Sequence, residues 1–243
     1  MFLRNKIKFG HPSLITPMVL KNRFNIWHNC KLCGIPNASL ICRHCINEIE
    51  FLPATHCPIC LIPSTPEHKI CSTCNSNTIY YNNLYCKLCY ATPLNKMLLE
   101  LKYHGEKSNA WLLGYLLSLN IEKTKSYDII IPMPLHKDKL ATRGFNQVEL
   151  LLKYFHNEQK YPPINTKIVI RHKNTQTQAL LNSASRELNV ANAFKLQHNV
   201  KGLKVLLVDD VVTTGATINQ LAKLFKDNGA TMVDACCLMR AII

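Results

Sequence analysis

From about residue 76 onward, runs that are apolar throughout alternate with runs in which apolar residues recur every three or four positions. Leu94, Met97, Leu98 and Leu101 fall on one face of a helix, and residues 111–119 give a second, more apolar helix. The run Tyr-Asp-Ile-Ile-Ile-Pro-Met over 127–133 is short, nearly continuous and closed by proline, as expected of a strand buried on both faces of a parallel sheet. The same reading predicts a helix over 147–155, a strand over 167–171, a helix over 183–190 and a strand over 203–209. A helix over 216–228 follows, stopped by Gly229, and then a strand over 232–239 that buries Cys236 and Cys237. Residues 78–90 supply one or two further strands. Strands alternating with helices predict an α/β fold with a parallel sheet covered on both faces.

The first third of the chain has another pattern. Residues 1–29 are basic and weakly patterned, with no acidic residue before Glu48, and read as an N-terminal extension. Ten of the twelve cysteines then form five C-x-x-C pairs between Cys30 and Cys89. Two thiolates three residues apart on a tight turn can reach one tetrahedral ion, and two such pairs complete a four-sulfur zinc shell. A disulfide framework would need a secretory signal. The apolar stretch after the basic first residues is broken by Pro12 and Pro17 and lacks a small-residue cleavage site, so a cytoplasmic protein with reduced thiols is expected.

Five pairs leave one over. Cys86 and Cys89 sit in an aromatic and apolar segment, 84–90, that reads as a strand, where residues three apart point to opposite faces. The remaining eight fit two zinc ions. By neighbourhood the shells are Cys30, Cys33, Cys42, Cys45 and Cys57, Cys60, Cys71, Cys74, and an interleaved pairing uses the same residues. His44, His56 and His68 then read as surface histidines. The chain thus divides into a basic N-terminal extension (1–29), a cysteine-rich zinc-binding module (30–75) whose folding should depend on metal, and an α/β domain (76–243).

Charge narrows the partners. The 243 residues carry 29 Lys and Arg against 15 Asp and Glu, a formal net charge of +14, and that excess favours polyanions such as nucleic acid or phosphorylated ligands. No apolar run reaches the roughly 18–20 residues that span a bilayer, so membrane insertion is not expected.

The chemistry concentrates in residues 205–217, Val-Leu-Leu-Val-Asp-Asp-Val-Val-Thr-Thr-Gly-Ala-Thr. A hydrophobic strand ends in Asp209 and Asp210, and a turn of Thr213, Thr214, Gly215, Ala216 and Thr217 opens a helix with Ile218, Leu221, Ala222 and Phe225 on its inner face. Backbone N–H groups at a helix start, flanked by small side chains and hydroxyls, cradle phosphate, and Gly215 permits close backbone approach. Carboxylates beside a phosphate would repel it unless they hold sugar hydroxyls or reach Mg²⁺. A phosphorylated sugar satisfies both halves. No Gly-Lys-Ser/Thr sequence occurs, which excludes a P-loop ATPase.

Residues 205–217 resemble the phosphoribosyl-pyrophosphate (PRPP) motif of type I phosphoribosyltransferases. The chain over about 30–240 resembles the ComF/GntX family, in which a cysteine-rich zinc module precedes a phosphoribosyltransferase-like domain. The likeness also rests on Leu101-Lys-Tyr-His-Gly105, Ile131-Pro-Met-Pro-Leu-His136, Arg143-Gly-Phe-Asn-Gln147, and Gln178 with Ser185-Arg-Glu-Leu-Asn189. Family members commonly have one four-cysteine module, so Cys57–Cys74 is an addition to that pattern. The resemblance implies a type I phosphoribosyltransferase-like parallel sheet, PRPP bound with Mg²⁺ at Asp209, Asp210 and 213–217, and structural Zn²⁺. It implies that loop 134–147, with His136, Lys137, Lys139 and Arg143, approaches pyrophosphate. A closing loop of about 171–189 would bring Arg171, Lys173, Gln178 and Arg186.

Two functions follow from that resemblance. In one, the chain resembles the competence proteins: a cytoplasmic factor of natural transformation that binds PRPP or a related ligand and handles incoming single-stranded DNA. Tyr80, Tyr81 and Tyr85 near the zinc module would then add stacking to charge, or else belong to the core. In the other, Asp209 and Asp210 are catalytic in a phosphoribosyltransferase that moves ribose 5-phosphate to an acceptor and releases pyrophosphate. A third role has the zinc module docking a helicase or another DNA-uptake component.

Overall fold

The computed structural model describes residues 28–37, 41–121, 125–155, 161–173 and 193–242. In chain order its elements are β1 (His28–Asn29), β2 (Pro36–Asn37), α1 (Arg43–Asn47), α2 (Ser72–Ser76), β3 (Leu84–Tyr85), β4 (Leu88–Cys89) and α3 (Leu94–Leu99). A π-helical turn (Glu100–His104) continues α3, followed by α4 (Asn109–Ser118), β5 (Ile129–Pro132), α5 (Lys137–Arg143) and α6 (Gln147–Leu152). The chain closes with β6 (Val169–Arg171), β7 (Phe194–Leu196), β8 (Lys204–Val212), α7 (Ala216–Asp227) and β9 (Met232–Arg240). Residues 1–27 of the extension and the helix expected over 183–190 lie outside the described residues.

β8 and β9 are the spine of a parallel sheet. β8 pairs with β5 on one side and β9 on the other, while β3 and β4 lie end to end along the far edge of β9. Both spine strands are nine residues long. Alternate side chains leave to opposite faces. Leu206, Val208, Cys236 and Leu238 pack with Leu98, Leu113, Leu116 and Leu151 from α3, α4 and α6. Val205, Leu207, Ala235 and Cys237 pack with Ile218, Leu221, Ala222 and Phe225 of α7. Each fully buried Val, Leu, Ile or Phe among them contributes roughly 1.5–3 kcal/mol, which is why 205–208 and 235–239 read as unbroken apolar runs. The α4–α6 contact depends on Gly114: a Cβ there would sit 2.3 Å from the carbonyl oxygen of Leu151.

The sheet departs from the sequence pattern in three places. β8 does not end at the acid pair but runs to Val212, because Val211 and Val212 continue the ladder opposite Met239 and Arg240. Residues 134–147 are not a simple loop, since they contain α5, capped by His136 and closed by Gly144 at φ +77°. β7, absent from the sequence reading, pairs antiparallel with β6 as a ribbon separate from the main sheet.

The cysteine-rich stretch packs onto this framework on both sides. Cys30, Ile41, Cys45, Ile46 and Phe51 join the core beneath α3 and α4, whereas Leu52 and Leu61 join the opposite core with α7. Cys86 and Cys89 stand outside both zinc-type clusters, Cys86 half-buried and Cys89 buried with its thiol donating to the Phe51 carbonyl at 3.3 Å. Among the described residues, no helix is long and apolar enough to cross a membrane.

Candidate ligand crevice and cysteine clusters

A crevice of about 960 Å³ opens at the carboxyl ends of β5 and β8, the edge where open parallel sheets bind ligands. Its floor is Asp209 and Asp210. One wall comes from the π turn, which swings Lys102 and Tyr103 over the strand ends, and a second from α5 and the start of α6 with Lys139, Arg143 and Gln147. Arg171, at the end of β6, and Thr213 and Thr217 of the turn before and into α7 complete it. A π turn inserts extra chain into a helix and is common at functional sites. Here it ends at Gly105, φ +68°, which only glycine adopts without strain.

Asp210 is 4% exposed and held from two sides. Lys102 Nζ donates to its Oδ1 at 2.7 Å. Gln147 Nε2 donates to its Oδ2, and Arg143 donates in turn to Gln147 Oε1, so the guanidinium of Arg143 is tied to the acid through one amide. Arg143 also stacks over the Tyr103 ring at 5.6 Å. Asp209 is half-buried and accepts from the Asp210 backbone N–H at 2.8 Å. Burial, with the adjacent Asp210 charge second, raises the Asp209 carboxyl from 3.8 to about 7.

The cations crowd one another. Burial lowers Lys139, and the charges of Arg171, Arg143 and Lys102 lower it further. Burial also lowers Arg171, against the attraction of Asp209. Lys102, Lys139, Arg143 and Arg171 thus share one half-buried space with Asp138, Asp209 and Asp210.

Of the sequence candidates, Asp209, Asp210, Thr213, Thr217 and Arg143 meet in this crevice. Gly215, at φ +83°, is the N-cap of α7, and Ala216 N donates to Thr214 Oγ1 at 3.4 Å. His136 and Lys137 do not join them. They border a separate hollow, and His136 Nδ1 accepts from Asp138 N at 3.3 Å as the cap of α5. Gln178 and Arg186 lie outside the described residues. Tyr81 is buried and Tyr80 and Tyr85 half-buried, which puts these tyrosines in the core. The sequence reading missed Lys102 and Gln147 as site residues, although both stand in motifs it singled out, Leu101–Gly105 and Arg143–Gln147.

The eight knuckle cysteines form two clusters by sequence neighbourhood, Cys30/Cys33/Cys42/Cys45 and Cys57/Cys60/Cys71/Cys74, with the sulfurs in each within 4.8 Å of one another. Cys33 and Cys42 sulfurs are 3.8 Å apart and Cys60 and Cys71 sulfurs 3.5 Å. Zinc at about 2.3 Å from four sulfurs spaces them about 3.8 Å apart, so the sets fit that ion. The two clusters repeat one geometry. Gly34 and Leu61 both take positive φ one residue after the second cysteine, and Cys42 and Cys71 both accept from the N–H three residues on. Burial works against the thiolates of Cys30 and Cys57, but backbone N–H groups outweigh it and lower them to about 6 and about 7. Such thiolates suit a metal dication.

This parallel sheet, with an acid pair and a threonine-rich turn at the end of β8, has the fold of a phosphoribosyltransferase-type domain, and residues 139–242 match the phosphoribosyl transferase domain family. The DNA utilization protein YhgH of Shigella flexneri is 33% identical over 222 residues, 88% of this chain and 97% of that protein. Competence protein F of Haemophilus influenzae is 30% identical over 82% of this chain and 84% of its own length. Competence protein ComFC of Streptococcus pneumoniae is 27% identical over 83% and 88%. The chain belongs to the ComF family. Among solved structures, the allosteric regulatory enzyme of purine biosynthesis overlays 54% of this chain and 26% of that one, at 19% identity and a TM-score of 0.35.

Two expectations follow. Metal analysis of the purified chain should find two zinc ions, one of which is lost in Cys71→Ser/Cys74→Ser; a single ion in the wild type would refute the paired clusters. An acid held protonated in the fold costs stability as pH climbs from its unfolded value, near 3.8, through its folded value, near 7. Asp209→Asn should therefore leave stability unchanged near pH 4 and raise it by about 1–2 kcal/mol near pH 8. Urea denaturation at both pH values checks this, and an equal effect at the two would contradict it.

Proposed function

We propose that the crevice binds PRPP or a related phosphoribosyl ligand with Mg²⁺, and that this chain is a ComF-like cytoplasmic protein of natural transformation that handles incoming single-stranded DNA. The observation that carries the reading is the convergence of the Asp209–Asp210 pair, four cations and a hydroxyl-bearing turn in one crevice, with Asp138 at its wall. Each group answers to one part of such a ligand. The turn over 213–217 takes the 5-phosphate on backbone N–H groups and threonine hydroxyls. Asp209 and Asp210 accept from the ribose hydroxyls. Lys139, Arg143 and Arg171 face the pyrophosphate, where planar guanidinium groups can bind bidentately. Mg²⁺ arriving with the pyrophosphate would neutralise part of its charge.

The DNA role rests on the names of the relatives and on charge. The net +14 suits contact with a phosphate backbone, which is salt-dependent and largely blind to sequence. At the mouth of the crevice, Tyr103 is 70% exposed and rimmed by Arg143, so an aromatic face and a cation stand together there.

A second reading, an active phosphoribosyltransferase, is favoured by the size of the crevice. At about 960 Å³ it lies at the upper end of small-molecule sites and leaves room for an acceptor beside the sugar. In that case the acid pair would stabilise positive charge developing on the ribose as pyrophosphate leaves.

Calorimetric titration with PRPP and Mg²⁺ tests the proposal. The wild type should give saturable binding, weakened at least tenfold in Asp209→Ala/Asp210→Ala. No binding by the wild type would end the phosphoribosyl reading. Release of pyrophosphate in the presence of a nucleobase or amine would move the protein into the transferase class.

A further inference from the structure

Arg240, the last residue of β9, is 3% exposed and gives its donors to main-chain oxygens. Its Nε donates to the Cys60 carbonyl at 2.7 Å. Its Nη1 donates to the Val212 carbonyl at 3.0 Å, to the Thr213 carbonyl, and to the Ala241 carbonyl at 2.5 Å. One buried guanidinium therefore joins a cysteine of the second cluster to the point where β8 becomes the turn over 213–217. Tyr81 makes a parallel link. Its hydroxyl donates to the Ile59 carbonyl at 3.3 Å and lies 4.0 Å from where a Cβ on Gly215 would be. Two side chains thus lean on carbonyls of Cys57-Pro-Ile-Cys60, Arg240 bonding the start of the turn and Tyr81 lying beside Gly215 at its middle.

Those carbonyls keep their positions only while the knuckle stays closed. Closure sets Leu61 at φ +63°, with Leu61 N donating to Cys57 O at 2.9 Å and Cys57 N to Ile62 O at 2.8 Å. A left-handed backbone is unfavourable for leucine, and a tetrahedral ion held by Cys57, Cys60, Cys71 and Cys74 would oppose its relaxation. The first cluster sits elsewhere, with Cys30 and Cys45 in the core under α3 and α4 on the other face of the sheet.

We propose that Arg240 is a positioning residue which, seconded by Tyr81, transmits the metal state of the second cysteine cluster to the turn over 213–217. Metal at Cys57/Cys60/Cys71/Cys74 sets the turn, and metal at Cys30/Cys33/Cys42/Cys45 does not. The proposal rests on the phosphoribosyl reading only for the identity of the ligand that the turn receives.

Hydrogen exchange of the full chain, without ligand, tests it. Exchange at 212–217 is compared in wild type, Cys71→Ser/Cys74→Ser, Cys42→Ser/Cys45→Ser and Arg240→Met, with zinc content measured for each. Amides 205–208 in β8 report whether the sheet remains folded. The second-cluster variant and Arg240→Met should exchange at least tenfold faster at 212–217 with 205–208 still protected. Arg240→Met should retain both ions, and the first-cluster variant should match wild type at the turn. Unchanged exchange at 212–217 in Arg240→Met, or equal acceleration from losing either cluster, would overturn the coupling. Should a cysteine variant lose protection at 205–208, wild type stripped of zinc by a chelator takes its place, and unchanged exchange at 212–217 after zinc loss overturns the coupling. Because the readout needs no PRPP, failure of PRPP to bind would remove the ligand assignment and leave the coupling to be judged by exchange.

Discussion

Asp210 projects from the middle of a parallel sheet into a nearly dry space, and an ionised carboxylate there costs several kcal/mol unless it is paired. Lys102 and Gln147 supply the pairing, and they come from different elements. To bring Lys102 over the strand ends, α3 must run on into a π turn. To bring Gln147 in, α6 must begin where α5 has just ended at Gly144, and that places Arg143 behind the amide. The walls of the crevice are thus the elements that deliver partners to one buried acid. Asp209, its neighbour on the strand, accepts from the Asp210 N–H, and burial keeps its carboxyl raised.

The contrast with Asp234 shows what distinguishes a site from a structural acid. Asp234 lies in β9, fully buried, and receives Tyr127 Oη at 2.8 Å, Asn83 Nδ2 at 2.9 Å, Tyr85 Oη at 3.2 Å and Lys125 Nζ at 3.3 Å. Its acceptor capacity is filled by the fold. At the other end of the sheet, Asp209 shares an open crevice with Lys102, Lys139, Arg143 and Arg171, and burial lowers both Lys139 and Arg171 there.

What could be read from the sequence follows from range. β8 and β9 were legible because both their faces are buried, so 205–208 and 235–239 are unbroken apolar runs. The cysteine clusters were legible because both ligands of a pair come from one tight turn, and the Asp-Asp to Thr-Thr-Gly-x-Thr segment because strand, turn and helix are contiguous. Lys102 was not, since its partner is 108 residues away and its own surroundings read as ordinary helix. His136 looked like an anion contact beside three other cations, but a local bond to Asp138 N commits it to capping α5. Arg240 gave no signal because a charge closing an apolar strand resembles a solvated end, and only the fold brings Cys60 to it.

The most direct test of this account is a double-mutant cycle on folding stability for Lys102 and Asp210. If the buried acid organises the crevice through that pair, Lys102→Met alone should destabilise by about 2 kcal/mol or more, because it leaves the charge unpaired. Adding Asp210→Asn should then recover much of the loss, giving a coupling of at least about 1 kcal/mol. Effects that simply add, to within about 0.5 kcal/mol, would mean that the two side chains act independently and that the crevice is built on something else.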